Sequence, residues 1–128
     1  MFRRIVLACF LAALSAVGTH AAESSGDDEL TALARSRGKP VIADFGLGFC
    51  MQCRKQAATL KEVEEAFPGK VVIRMVNVVK EQVLVKRYEV EEVPTLVFLD
   101  GRGKVVLRKV GPLGFEEIRG QLSRMGVE

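Results

Sequence analysis

The stretch VIADFGLGFCMQCRK, residues 41–55, sets a nearly all-apolar run of five beside two cysteines spaced three apart. Val41 to Phe45 has the composition of a strand buried on both faces. From roughly Cys50 to Phe67 the pattern turns helical, with Cys53, Ala57, Leu60 and Phe67 on one face, Lys61, Glu62 and Glu65 elsewhere, and Pro68-Gly69 as the stop. With Cys50 in the first turn, side chains at i and i+3 share a face, so the two sulfurs can meet. Cys50 lies where unpaired N–H groups and the helix dipole favour a thiolate, and Cys53, one turn in, is shielded.

Helical and strand patterns alternate to either side of this stretch. Asp27 or Asp28 can cap a helix carrying Leu30, Leu33, Ala34 and Arg37, with Gly38 as its stop and Pro40 beyond. Val71 to Val76 reads as a second buried strand and Gln82 to Tyr88 as a short helix ending before Val93-Pro94. Thr95 to Leu99 and Val105 to Lys109 flank Asp100-Gly101-Arg102-Gly103, a hairpin signal. Phe115, Ile118, Leu122 and Met125 give a closing amphipathic helix. The order predicts an α/β domain, a central mixed sheet flanked by helices.

The amino terminus stands apart from this domain. Arg3 and Arg4 precede an apolar run from Ile5 to Val17, and Thr19-His20-Ala21 offers a small-x-small cleavage pattern, so residues 1–21 read as a secretory signal peptide. The run has 13 residues, short of the roughly 20 that span a bilayer; an uncleaved anchor is the alternative. Cys9 lies too early in it to serve as a lipid-attachment cysteine. The expected division is therefore a leader at 1–21, a lead-in and first helix at 22–38, and a single domain at 39–128. Cleavage leaves two cysteines and no histidine. The 19 basic residues less Arg3 and Arg4 leave 17 against 16 acidic ones, so no nucleic-acid footprint remains. Arg102, Lys104, Arg108 and Lys109 read as the solvated face of a hairpin.

Two sulfurs without an imidazole do not make a closed zinc site, which generally needs four ligands, so no metal and no cofactor is expected; an intermolecular site or a soft monovalent metal such as copper is the remaining metal route. A purely structural disulfide at this spacing closes a loop too short to restrict the unfolded chain as long-range bridges do. Reversible redox work accounts for the spacing better. Asp44 is the one charged residue in a run that should be buried, where an unpaired carboxylate is costly. Read alone, it is a strand-end cap, a partner for a basic side chain, or a base whose pKa burial has raised. Pro94, read alone, is an ordinary trans proline at a strand edge.

Asp44-Phe45, Cys50-Met51-Gln52-Cys53 opening a helix, Val93-Pro94-Thr95, the hairpin from Asp100 to Gly103, and Val110-Gly111 before the last helix together resemble the thioredoxin superfamily, from about Lys39 to the end. Lys39-Pro40-Val41 and Phe49 to Cys53 are most similar to exported thioredoxin-like domains such as the carboxy-terminal domain of the membrane thiol-reductant transporter. The resemblance implies a thioredoxin fold and a thiol:disulfide oxidoreductase with Cys50 as nucleophile, Cys53 as resolving thiol and Asp44 as proton acceptor or relay. It implies a cis Pro94 facing the cysteines, with Val93 pairing with substrate through its main chain and Phe49 beside them. Its expected partners are protein disulfide substrates and a membrane thiol-reductant donor, its expected location the periplasm, and its expected state a monomer. The chain departs from the family pattern at Phe49, where tryptophan is common, at Met51-Gln52, where Gly-Pro is usual, and at Gly46, where a large aromatic is frequent. Met75 stands nearest the place of the lysine that often accompanies the buried aspartate.

The direction of exchange also follows from the motif. Taking a thiol from about 8.5 to about 3.5, as in strong disulfide donors, means stabilising the thiolate by roughly 7 kcal/mol. A helix terminus supplies only about 0.3 to 1 kcal/mol, and neither Met51 nor Gln52 carries charge. A reductase is expected; a disulfide donor or isomerase, and a non-enzymatic binding module, are the rivals.

Overall fold

A computed structural model of the chain describes residues 27–128; the expected leader, with Arg3, Arg4, Cys9 and His20, lies outside them. Helix α1, Glu29–Arg37, begins where the Asp28 carboxylate accepts from the backbone N–H groups of Leu30 and Thr31 at 2.8 and 3.0 Å. It stops at Gly38, whose φ of 60° suits glycine. Strand β1 is Val41–Gly46, α2 Met51–Ala66, β2 Val72–Asn77, α3 Gln82–Arg87, β3 Thr95–Leu99, β4 Val105–Val110 and α4 Phe115–Arg124.

The four strands form one mixed sheet in the order β2-β1-β3-β4, with β1 parallel to β2 and antiparallel to β3. Alternation along β1 sends Ala43 and Phe45 to one face, where they pack with Leu30 and Ala34 of α1 and Leu84 of α3. Ile42 goes to the other face, with Leu60 and Val63 of α2 and Ile118 and Leu122 of α4. Helices therefore cover both faces of the sheet. Asp44, two residues from Ile42, points to the α2 side.

One strand differs from its expected environment. The apolar run at Val71 to Val76 reads as buried on both faces, yet β2 is an edge strand whose residues are mostly half-buried, and Met75 is 47% exposed. All five residues of β3 are buried instead. The two strands have similar composition, and only the strand order separates them. In the basic cluster Arg108 also departs from a purely solvated role, since its Nε donates to the Tyr88 carbonyl at 3.1 Å.

The β3–β4 hairpin closes on the Asp100 carboxylate, which accepts from the N–H groups of Arg102 and Lys104 at 2.9 and 3.0 Å. Gly103 turns there with φ +85°, and a Cβ on it would stand 2.5 Å from Thr31 Cγ2 and 3.1 Å from the Thr31 carbonyl oxygen. Gly103→Ala is therefore expected to destabilise the fold by about 2 kcal/mol, from the left-handed backbone and the clash together. Urea unfolding measures it; an unchanged midpoint would show that α1 and the hairpin do not need this approach.

Candidate active site

The chain leaves the sheet at Gly46, turns through Leu47 to Phe49 and enters α2. Cys50 is the N-cap of that helix, one residue before the first turn expected from the sequence. Its backbone is extended, with φ −78° and ψ 123°, and its Sγ accepts from the backbone N–H of Cys53 at 3.3 Å. The sulfur thus occupies the place of a capping oxygen, turned toward an N–H that no helical carbonyl reaches. Cys53 is buried, and both cysteines are free thiols.

The two sulfurs differ in character as a result. Hydrogen bonds from the Cys53 thiol and then from its backbone N–H hold the Cys50 thiol below its usual range. Burial, followed by the Cys50 sulfur beside it, pushes the Cys53 thiol up. Iodoacetamide near pH 7 is accordingly expected to modify Cys50 at least ~10-fold faster than Cys53, read by peptide mass mapping. Equal labelling of the two would remove the asymmetry on which the chemistry below depends.

Asp44 lies 1% exposed on the same side of the sheet as α2, and neither carboxylate oxygen has a hydrogen-bond partner. Burial raises its pKa to about 6. A Cβ on Gly46 would lie 3.2 Å from Cys53 Cβ, 3.3 Å from Cys53 Sγ and 3.9 Å from Asp44 Oδ1. Gly46 is therefore the contact that brings the backbone, the buried thiol and the carboxyl together. The register pairs Asp44 with Met75 on β2, so a thioether stands where a cation would otherwise flank the carboxyl.

The Val93–Pro94 peptide bond is cis. Pro94 is buried, Val93 is partly exposed, and β3 begins at the next residue, Thr95, which pairs with Phe45. This register puts Val93-Pro94 at the end of the sheet from which the Cys50 loop departs. Phe49 is 82% exposed and Met51 64% exposed, so the cysteine pair is flanked by bare apolar side chains.

Gln56 is absent from the expected site residues and organises it all the same. It is 1% exposed, its Oε1 accepts from the Leu113 N–H at 2.7 Å, and its Nε2 donates to the Leu113 carbonyl at 3.1 Å. Gly111, two residues before, donates its N–H to the Pro94 carbonyl at 2.8 Å. One amide thus ties α2 to the loop that holds the cis proline. Its spacing of three from Cys53 was the available signal; the sequence pattern favours Ala57 for that face, and Ala57 is only half-buried.

A family model described as Thioredoxin matches residues 22–124. The chain is 32% identical over 85 residues to a thioredoxin of Alicyclobacillus acidocaldarius subsp. acidocaldarius, covering 66% of this chain and 80% of that one. It is 33% identical over 86 residues to the thiol:disulfide interchange protein DsbD of Cronobacter sakazakii, covering 62% of this chain and only 15% of that larger protein. Among solved structures, Fasciola hepatica thioredoxin superposes with a TM-score of 0.66 at 27% identity, over 75% of this chain and 90% of the other.

Proposed function

The chain belongs to the thioredoxin family and is a thioredoxin-like thiol:disulfide oxidoreductase, and from that premise we propose that it is an exported reductase of disulfides in envelope proteins. The observation that carries the reading is the Cys50 sulfur at the N-cap of α2, held by the Cys53 N–H above a buried carboxyl without a partner. The Cys50 thiolate attacks one sulfur of a substrate disulfide, a Cys50–substrate bond forms, and the other substrate sulfur leaves as a thiol. Asp44 takes the proton of Cys53, directly or through water, and the Cys53 thiolate attacks Cys50 Sγ. The second substrate sulfur leaves, the Cys50–Cys53 disulfide remains, and two electrons have passed to the substrate. A membrane thiol-reductant donor then restores the dithiol.

Val93, at the start of the cis peptide, offers main-chain pairing to an extended substrate segment, with Pro94 shaping the groove. Phe49 adds an apolar contact. Among the described residues no helix is long and apolar enough to cross a membrane. Export rests on the sequence pattern of residues 1–21, with the mature protein in the periplasm as a monomer of one domain.

A reducing direction is supported by the absence of a cation between the cysteines, the helix end alone supplying about 0.3 to 1 kcal/mol to the thiolate. The test is catalysis of insulin reduction by dithiothreitol, followed by equilibration of the Cys50/Cys53 pair with glutathione. The expected result is insulin precipitation and a pair at least as reducing as the roughly −230 mV of glutaredoxins. A value near the −120 mV of strong oxidants makes the protein a disulfide donor, and no catalysis leaves only a binding module.

A further inference from the structure

Gln56 stands on the buried face of α2, in the row Cys53, Gln56, Leu60 and Val63. Packing alone would select an apolar side chain there, because a buried amide that loses its water and finds no partner is costly. Both ends of this amide are instead bonded to Leu113, a buried residue between β4 and α4 whose N–H and carbonyl no strand or helix satisfies. Among the described residues these are the only hydrogen bonds that join α2 to a distant part of the chain. The rest of the helix is held by apolar packing, which is non-directional. Two bonds of 2.7 and 3.1 Å to one residue fix the helix at a single height.

The far end of this tie reaches the residue proposed to pair with substrate. Two positions before Leu113, the Gly111 N–H donates to the Pro94 carbonyl at 2.8 Å, and Val110 pairs with Thr95. From the other side Thr95 Oγ1 donates to the Glu92 carbonyl at 2.7 Å. The main chain around Val93 is thus bonded on both flanks. The attacking sulfur and the Val93 main chain belong to different parts of the fold, one to the end of α2 and the other to the start of β3. The Gln56 amide is the group through which hydrogen bonds connect them.

We propose that Gln56 is a positioning residue for protein disulfides: it sets the Val93 main chain at a fixed height against the Cys50 sulfur, so that a segment paired at Val93 presents its disulfide to the attacking thiolate. The inference rests on the proposed pairing at Val93 and adds the group that keeps pairing and attack in one geometry. A misplacement of about 1 Å between bound substrate and attacking group costs on the order of 10²-fold in rate. A small disulfide has no main chain to pair. It needs the Cys50 thiolate alone, and its reaction is indifferent to the tie.

The test uses the reduced protein and a short peptide whose single cysteine is linked to thionitrobenzoate. Cys50 attacks the peptide sulfur, a Cys50–peptide disulfide forms, and the coloured thionitrobenzoate leaves with the electron pair of the broken bond. The same peptide with N-methyl groups on the residues flanking its cysteine cannot pair through its main chain, and hydroxyethyl disulfide, followed by mass spectrometry, is the small substrate. The unaltered protein is expected to react at least ~10-fold faster with the unmethylated peptide. Gln56→Leu should lose that preference and ~10-fold in rate on the peptide, while its rate on hydroxyethyl disulfide and the Cys50 thiol titration, read by thiolate absorbance, stay within about 2-fold. Gln56→Glu, which keeps an acceptor for the Leu113 N–H, should lose less, and it takes the place of Gln56→Leu if that variant does not fold. Amide exchange reads the tie with no substitution at all: the Leu113 N–H should exchange as slowly as the amides of β3. Equal losses on peptide and small disulfide, an undiminished preference in the variants, or fast exchange at Leu113 would each overturn the proposal. The unaltered protein tells the failures apart. If it prefers the unmethylated peptide and the variants do too, only the role of Gln56 is wrong; if it shows no preference, the pairing at Val93 is wrong and the role of Gln56 falls with it; if it reacts with neither peptide, the redox reading itself is wrong.

Discussion

A Cys53→Ser protein is expected to stall as a mixed disulfide through Cys50 and to lose on the order of 10³-fold or more in multiple-turnover disulfide reduction. The size of the effect follows from proximity. In the native dithiol the Cys50 sulfur already accepts from the Cys53 N–H at 3.3 Å, so resolution is an intramolecular step, and well-oriented intramolecular reactions reach effective molarities of about 10⁵ M or more. A serine hydroxyl cannot attack Cys50 Sγ and form the disulfide that releases the substrate, so resolution then depends on millimolar external thiol. Non-reducing electrophoresis should show adducts that dithiothreitol removes, and the companion Cys50→Ser protein should show none with protein substrates, because Cys53 is buried. Trapping in cells with the Cys53→Ser protein then identifies the substrates. Wild-type turnover by Cys53→Ser, without adducts, would refute the dithiol mechanism.

Asp44→Asn is expected to separate stability from rate. The folded carboxyl has its pKa raised to about 6 by burial, against an unfolded value near 3.8. Below the unfolded value it is protonated in both states and its burial carries no charge. Between the two values the unfolded chain ionises while the folded one holds its proton, so wild-type stability falls as pH rises and levels off above about 6. The difference amounts to about 3 kcal/mol at 1.36 kcal/mol per pKa unit. An amide does not titrate, so the stability of Asp44→Asn relative to wild type should climb by that amount between pH 3.5 and pH 8. Urea midpoints across the range measure it, and a flat difference would mean that burial leaves the folded carboxyl at its ordinary pKa. Loss of a positioned proton acceptor should also slow resolution by about 10²-fold near neutral pH. The pH dependence centred near 6 should go with it. A variant with normal turnover removes Asp44 from the proton path.

The elements themselves were legible because their signals are local. Asp28, Gly38, Pro68-Gly69 and the Asp100 to Gly103 turn satisfy or break backbone hydrogen bonds within a few residues of themselves, and helix and strand periods show in the apolar spacing. Asp44 was legible for a related reason, as a charge inside a run too apolar to be solvated. Gln56 was not, because a polar side chain three residues after Cys53 reads as facing water until Leu113, 57 residues away, presents the backbone groups that satisfy it. The exposure of β2 was also hidden: its apolar residues fit a central strand as well as an edge one, and the choice lies in pairing that spans the chain.

What the sequence by itself determined is the kind of chemistry: two thiols one helical turn apart, placed at the start of a helix that follows a buried strand. What only the tertiary structure decided is the surroundings that tune this pair. Gly46 packs against Cys53, Asp44 is left without a partner beside Met75, and the Leu113 loop is tied to α2 through Gln56. The physical reason is range. Helix ends and periodicity act over three or four residues of chain, whereas burial, desolvation and cavities arise from groups far apart in sequence that meet only when the sheet and its covering helices assemble.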